Sequence, residues 1–221
     1  MRKRSQPTTI LVVAFYFANP YFLHPPPYHC SESSIRTDNY YVTEAHFGLK
    51  QRNGEALELK VRDKETESGL ELWTKSSLSN SMVDLCREEI SVILGDKGYS
   101  AKAEELIIGE IVALTKDVSK VKHDKVNYEV TRISTEHPSA MHKNWVSVVI
   151  EGKHVKNVLS FLSSAPETKG VREAIKTAHQ LGEIRPVVAG YPLFVRQVAS
   201  QTTESDHAEL DVRWQQLLYY V

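Results

Sequence analysis

Cysteine is scarce in this chain, and so is net charge. The 221 residues include only two cysteines, Cys30 and Cys86, whose spacing fits neither a metal site nor a redox pair. Two cysteines do not make a disulfide framework in a chain of this length, which favours a reducing compartment such as the cytoplasm. The formal net charge of −1 gives no global field that would attract a nucleic acid duplex or a membrane surface. A function that requires positive charge must therefore come from local clusters.

Several familiar catalytic motifs are absent as well. The sequence contains no Walker, G-x-S-x-G or G-x-G-x-x-G motif, and its histidines lack the spacing of zinc proteases and zinc fingers. Motif evidence for a P-loop NTPase, an α/β-hydrolase or a dinucleotide-binding domain is therefore missing. What is present is ordinary for a globular protein: 41% hydrophobic and 25% charged residues, in a chain long enough for one large domain.

The N-terminal segment lacks a long apolar run. Arg2-Lys3-Arg4 precedes an apolar stretch from Ile10 to Ala18, which is too short to cross a bilayer as a helix. The stretch is rich in Val, Phe and Tyr, so it suits a strand or a poorly ordered leader, and a cleaved secretory signal is the alternative. Because residues 8–17 are apolar on both faces, they supply no acidic ligands, whether they pair as a strand or stay unpacked.

The segment from Phe47 to Arg62 predicts a β-hairpin. Asn53-Gly54 favours a tight turn, because both turn positions require a positive φ that this pair adopts easily. Hydrophobic and charged residues then alternate strictly through residues 57–62, so one face of the hairpin is apolar. The other face is charged and carries Lys50, Arg52, Glu58, Lys60 and Arg62.

Hydrophobic periodicity predicts the remaining elements. Further strands are expected at residues 35–42, 69–75, 118–123, 126–133 and 145–151. Asp38-Asn39 is expected to interrupt the first of them, and residues 101–115 fit either a helix or a strand. Helices are expected at residues 79–94, 155–162, 166–181 and 206–220.

The charged faces of these strands allow two interpretations. In an open antiparallel sheet they would be solvated, whereas in a closed barrel they would converge on a lumen. The alternation leaves both open. A charged lumen would need an anionic partner or mutual ion pairing, because unpaired charges are costly to bury. Such a lumen would suit a phosphate chain bridged by a metal, since Lys and Arg bind phosphate oxygens and carboxylates hold Mg²⁺ or Mn²⁺.

The order of several short motifs resembles the CYTH superfamily, the triphosphate tunnel metalloenzymes. This family includes thiamine triphosphatase, class IV adenylyl cyclases and RNA triphosphatases. Residues 37–41 (TDNYY) resemble the family's aspartate-tyrosine strand, and Lys50-x-Arg52 stands where the family usually has Arg-x-Arg. The other similar motifs are Leu59-Lys60, the basic strand with Lys120 and Lys122, and the final acidic strand at residues 145–152.

The resemblance implies an α+β fold, an antiparallel β-barrel or tunnel of about seven to eight strands with helices packed outside. It divides the chain into a divergent or poorly ordered N-terminal segment, residues 1–34, and a CYTH-like barrel domain with C-terminal helices, residues 35–221. It also implies a set of phosphate-binding cations: Lys50, Arg52, Lys60, Arg62, Lys75, Lys120 and Lys122. The implied ligands of Mg²⁺ or Mn²⁺ are Glu58, Glu71, Glu129 and Glu151.

The implied function is binding of a small-molecule triphosphate or polyphosphate, with Mg²⁺-dependent hydrolysis of a nucleoside, thiamine or inorganic triphosphate as the activity. The chain departs from the family at two points: residues 1–34 contain no E-x-E-x-K motif, and the last strand presents Glu151 alone instead of two carboxylates. Fewer carboxylates favour an alternative, a non-catalytic member that binds polyphosphate or a nucleotide, or a purely structural one. The sequence leaves the substrate and the oligomeric state open.

Overall fold

Eight antiparallel strands close into a barrel. The structure is a computed structural model that describes residues 7–18, 32–99, 107–123, 125–181 and 186–221. The strands are β1 (Thr8–Phe17), β2 (Glu32–Thr43), β3 (Phe47–Arg52), β4 (Leu57–Glu65), β5 (Glu71–Ser77), β6 (Ile107–Lys122), β7 (Val126–Ser134) and β8 (Asn144–Gly152). Their order around the barrel is β5-β4-β3-β2-β6-β7-β8-β1, and pairing of β1 with β5 closes the ring. A two-residue strand, β9 (Val187–Val188), pairs with β1 beyond the end of β5.

Strand β1 completes the barrel, which is one of the two alternatives expected for the apolar segment. It pairs with β5 from Thr8 to Val12 and with β8 from Leu11 to Phe17. Both of its faces are apolar because one packs inside the barrel and the other under helices. Part of the N-terminal segment 1–34 therefore lies within the barrel, while residues 1–6 and 19–31 fall outside the described residues.

Strand β2 continues through Asp38 and Asn39, so the expected interruption is wrong. Asp38 is tolerated in the middle of the strand because its side chain points inward and meets several cations there. Strand β6 shows that the ambiguous region becomes a strand from Ile107 onward; residues 100–106 lie outside the described part of the chain. The turn of the central hairpin agrees with the prediction, since Asn53 and Gly54 have φ values of 46° and 75°.

Most of the helices cover the outside of the barrel. In chain order they are α1 (Val83–Asp96), α2 (Val155–Ser164), α3 (Lys169–Leu181), α4 (Tyr191–Val198) and α5 (Glu204–Leu218). Helix α1 buries Cys86, Ile90 and Leu94 against the outer faces of β3 and β4. Helices α2, α3 and α5 pack on the outer faces of β1, β7 and β8. The predicted α+β barrel with helices packed outside is confirmed.

Helix α4 is the exception, because it packs against residues that point into the barrel. Phe194 stacks on Tyr16 with ring centroids 3.9 Å apart, and Tyr191 stacks on Tyr40 at 5.2 Å. These rings join a buried cluster with inward-facing residues of β6, β7 and β8, so one end of the lumen is filled by apolar packing. None of the helices that the structure describes combines the length and apolarity needed to cross a bilayer.

Candidate ligand-binding site

A cavity of about 340 Å³ occupies the other part of the barrel interior. Its inner end is formed by Tyr191 and Pro192 of α4, which approach the wall closely because two glycines leave room. A Cβ atom on Gly48 would lie 2.8 Å from Pro192 Cγ, and one on Gly190 would lie 2.6 Å from Trp73 Cζ2. Toward the other end the lining includes the exposed Thr8 and the partly exposed side chains of Arg52, Lys75 and Lys120.

Asp38 is the centre of a buried charge cluster beside the cavity. Its carboxylate is fully buried and lies 3.0 Å from Lys116 Nζ, 3.3 Å from Arg52 Nε and 3.5 Å from both Lys50 Nζ and Arg36 Nε. Burial alone would raise the pKa of this carboxyl, but the charges of Lys116, Lys50 and Arg36 hold it well below its usual range. Asp38 therefore stays ionised and holds the cations in place.

Lys116 fixes the inner side of this cluster. Its side chain is fully buried, and its ammonium donates to Asp38 Oδ2 and, at 2.6 Å, to the Tyr40 hydroxyl. The ammonium also lies 3.7 Å from the ring centroid of Tyr191, which is a cation–π contact. Lys116 thus connects the charged part of the barrel to helix α4.

Glu58, which is partly buried, is the second carboxylate that organises cations in the cavity. It lies 3.4 Å from Lys50 Nζ and 2.5 Å from Lys75 Nζ. Burial would raise the pKa of Glu58, but Lys50, Lys60 and Lys75 together lower it to about 2. Both of its neighbours in the ion pairs are themselves predicted phosphate-binding residues.

Two pairs of like charges face each other across neighbouring strands. Lys60 is directly opposite Lys75, and Arg36 is directly opposite Lys116. Directly opposed like charges destabilise a sheet unless other charges compensate. Asp38 compensates the second pair and Glu58 bonds Lys75, whereas Lys60 has no carboxylate within ion-pair distance among the described residues.

The cavity collects most of the predicted site residues. Of the predicted phosphate-binding residues, the cavity lining includes Lys50, Arg52, Lys60, Lys75 and Lys120. Of the predicted metal ligands, it includes Glu58, Glu129 and Glu151. Lys122 lies instead in an adjoining pocket with Glu32 and Asn127, because it is the last residue of β6 and lies beyond the part of that strand that lines the cavity.

Arg62 and Glu71 lie apart from the cavity, at the closed end of the barrel. Arg62 Nη1 is 3.2 Å from Glu71 Oε1, and Arg213 of α5 is 2.5 Å from the same carboxylate oxygen. Both arginines also contact Glu209. Arg62 and Glu71 therefore point inward, as the alternation predicts, but their contacts with Glu209 and Arg213 attach α5 to the end of the barrel.

The carboxylates of the lumen do not fit a divalent metal ion. Within the described ranges, no three His, Cys, Asp or Glu side chains come together as a group that could hold one. Glu58 is occupied by two lysines, and Glu129 accepts from Thr131 Oγ1 and lies 3.7 Å from Lys120 Nζ. A metal site needs several oxygen ligands that converge on one point, whereas Glu58 and Glu129 each lie beside an ammonium instead.

The sequence analysis did not identify Arg36 or Lys116 as members of the site. It named Asp38 but did not predict that this carboxylate holds the cations in place. Arg36, Asp38 and Tyr40 alternate along β2, so their common face was detectable once the strand was taken as uninterrupted. Lys116 lay just beyond the region that was ambiguous between helix and strand. With Arg36 included, six cations line the cavity against three carboxylates.

Fold and site together define a closed α+β barrel with a cationic lumen. No family model matches the sequence, and no curated protein matches it significantly. One solved structure with distant similarity is a "putative adenylate cyclase" from Bacillus halodurans, with 15% identity and a TM-score of 0.38 over 66% of this chain and 74% of that chain. Another is a "conserved hypothetical protein" from Pyrococcus furiosus, with 15% identity and a TM-score of 0.33 over 78% of this chain and 91% of that chain. Similarities at this level carry no argument about function.

Proposed function

We propose that the barrel binds a triphosphate or polyphosphate in its lumen, and that the cations of the wall hold it without a divalent metal ion. The observation that carries the proposal is the excess of cations, six against three carboxylates in the cavity lining. The order of motifs that resembles the triphosphate tunnel metalloenzymes supports the same class of ligand.

The arrangement of the cations supports an anionic ligand as well. Lys60 faces Lys75 directly across the β4–β5 pair, and Lys75 is already bonded to Glu58. A phosphate oxygen between the two ammonium groups would relieve their repulsion and form charge-assisted hydrogen bonds to both. Arg36 contributes further, because its side chain lines the cavity and its Nε–H, 3.5 Å from Asp38 Oδ1, makes no hydrogen bond among the described residues.

Metal-dependent hydrolysis, the activity that the resemblance implies, has weaker support. It needs carboxylates free to bind Mg²⁺ or Mn²⁺, and two of the three carboxylates that line the cavity, Glu58 and Glu129, are engaged by lysines. Asp38, the most buried acid, is surrounded by cations as well. Binding without catalysis is therefore the function that this set of residues favours.

Calorimetry with tripolyphosphate tests the proposal, once in EDTA and once with Mg²⁺, alongside an assay for released phosphate. We expect binding in EDTA. Lys60→Gln should weaken it about tenfold or more, because a hydrogen bond to a charged group is lost. The matched control is Lys156→Gln, which removes the same charge from an exposed position on α2. Absence of tripolyphosphate binding to the unaltered protein would refute the proposal, and phosphate release that requires Mg²⁺ would replace it with the hydrolase.

A further inference from the structure

The charges that line the cavity are divided between two sides of the barrel. All six lining cations lie on five consecutive strands of the ring, β5, β4, β3, β2 and β6; they are Lys75, Lys60, Lys50, Arg52, Arg36 and Lys120. The described lining residues of the other three strands, β7, β8 and β1, include no cation and two of the three carboxylates, Glu129 and Glu151. We call the first group of strands the cationic side and the second the acidic side.

The two sides lie across the lumen from each other. In the ring of eight strands β7 is four places from β4, and β8 is four places from β3. The interior of an eight-stranded barrel has room for one small ligand at most, so a ligand held by Lys60 of β4 or Lys50 of β3 lies close to the strands opposite. Such a ligand therefore meets Glu129 and Glu151 at its far end.

Glu151 is the carboxylate of the acidic side that has no counter-ion. Its side chain is partly buried, and it makes no ion pair and no hydrogen bond within the described part of the chain. The cations at the two borders of the acidic side are engaged elsewhere, because Lys75 bonds Glu58 at 2.5 Å and Lys120 lies 3.7 Å from Glu129. A free carboxylate in a phosphate-binding cavity repels the ligand, unless the ligand carries a positive charge for it.

A buried hydroxyl group on the same side also lacks a partner. Tyr16 of β1 lines the cavity beside Tyr191 and is fully buried, yet its hydroxyl makes no hydrogen bond among the described residues. Burial, together with Tyr191, Glu71 and Glu129, raises the pKa of this hydroxyl, so it stays neutral. Its oxygen can therefore accept a hydrogen bond from an N–H group of a ligand, as a carboxylate can.

We propose that the ligand is a phosphate that also carries an ammonium group, with its phosphate on the cationic side and its ammonium on the acidic side at Glu151. This inference rests on the proposed function, because it needs the phosphate-binding cations of the lumen. It adds the chemical class of the ligand: a zwitterion such as the phosphate ester of an amino alcohol, in preference to an inorganic polyphosphate. One free carboxylate and neutral oxygens suffice for the N–H donors of an ammonium, whereas a divalent ion needs several oxygen ligands around it.

Two esters of nearly equal shape test the inference. 3-Aminopropyl phosphate and butyl phosphate carry the same phosphate group and differ at the end of the chain, where an ammonium replaces a methyl group. In EDTA at about pH 7 we expect the amino ester to bind about tenfold tighter or more, because its ammonium forms a charge-assisted hydrogen bond with Glu151.

Glu151→Gln is the decisive variant, because it should separate two affinities. It removes the partner of the ammonium and should weaken binding of the amino ester about tenfold. It also removes a negative charge that repels phosphate, so tripolyphosphate should bind at least as tightly as before. The matched control is Glu136→Gln, which removes the same charge at an exposed position outside the cavity and should leave the preference for the amino ester unchanged.

The outcomes separate this inference from the proposal on which it rests. If tripolyphosphate binds while the two esters bind equally, the phosphate-binding proposal stands and the inference of an ammonium group is overturned. A preference that persists in Glu151→Gln also overturns it, and so does an equal loss of affinity for the amino ester and for tripolyphosphate in that variant. If tripolyphosphate and both esters all fail to bind, the phosphate-binding proposal itself is wrong.

Discussion

Lys50 occupies the most crowded electrostatic position in the cavity. Its ammonium lies 3.5 Å from Asp38 and 3.4 Å from Glu58, and it faces the cations Lys60 and Arg52. Burial lowers the pKa of Lys50, the two cations add to this shift and the two carboxylates oppose it, and the net result is a pKa of about 8. Near neutral pH this group is therefore charged, but it loses its proton at a lower pH than an ordinary lysine.

Anion binding should consequently depend on pH. A bound phosphate favours the ammonium form and raises the pKa of Lys50, so between the free and bound pKa values the complex holds more protons than the free protein. We expect tripolyphosphate affinity to be constant below about pH 7 and to fall above about pH 8, by up to about tenfold per pH unit. Calorimetry between pH 6.5 and 9.5, at about 0.5-unit steps, measures this dependence.

The control for this pH dependence is Lys50→Arg, since a guanidinium stays protonated throughout that range. The fall in affinity should be absent in the variant. An identical slope in both proteins would show that another group titrates.

At the scale of single residues, the sequence predicted which face of a strand a side chain lies on, but it did not predict which groups that side chain contacts. The alternation placed Lys50, Lys60 and Glu58 on one face, and all three line the cavity. It also placed Arg62 on that face, yet Arg62 bonds Glu71 and Glu209 at the closed end. Which inward residues meet the cavity depends on where α4 and α5 pack, and no local pattern encodes that.

Among the secondary-structure elements, α4 has the most demanding fit. Gly190 precedes the helix, and its missing side chain lets Trp73 and Glu71 approach to distances that no other residue allows. The φ of Gly190 is −67°, so contact and not backbone strain requires glycine here. Arg196 of α4 is further tied to Asp206 of α5 at 2.8 Å, which joins the two helices at the barrel end.

Gly190→Ala should therefore destabilise the protein. The new Cβ would lie 2.6 Å from Trp73 Cζ2 and 2.9 Å from Glu71 Oε2, and both side chains are buried and held. We expect a loss of about 1–3 kcal/mol in the free energy of unfolding, measured by urea denaturation.

Gly170→Ala is the matched control for this substitution. Gly170 lies on α3 with nothing within 4 Å of an added Cβ, so alanine should stabilise the helix by up to about 1 kcal/mol. Equal effects of the two substitutions would contradict the close packing at Gly190.

Most elements were predictable because their periodicity is local. The hairpin of β3 and β4, the strands β5, β7 and β8, and the helix α1 all lie close to their expected ranges. Strand β6 was only partly predicted, because its sequence mixes residues typical of helix and strand. The position of α4 could not be predicted, since a short helix between two connections carries no sign of what it packs against.

At the scale of the whole molecule, closure of the barrel depends on β1. This strand supplies partners for β5 and β8 and contributes to both the inner and the outer apolar clusters. Whether the charged faces point to solvent or to a lumen follows from this closure. The alternation is the same in an open sheet and in a barrel, so the sequence left that choice open.

Removing β1 should abolish the fold. A chain that begins at Glu32 leaves β5 and β8 with unpaired edges and exposes apolar surface on two sides, so we expect aggregation and no cooperative thermal transition. Removal of residues 2–6 alone keeps the strand and should leave the transition temperature unchanged. A cooperative transition in the longer deletion, measured by circular dichroism, would contradict the role of β1.

The pairing of β1 also sets the order of events during synthesis. The strand leaves the ribosome first, yet Leu11 pairs with Gly152, which is made long afterwards. Until β8 has emerged, an apolar segment with two uncovered faces must wait without its final partner. Contacts between residues so distant in sequence slow folding and prolong the exposure of unpaired edges. The barrel can therefore close only after β8 has been synthesised, late in the translation of these residues.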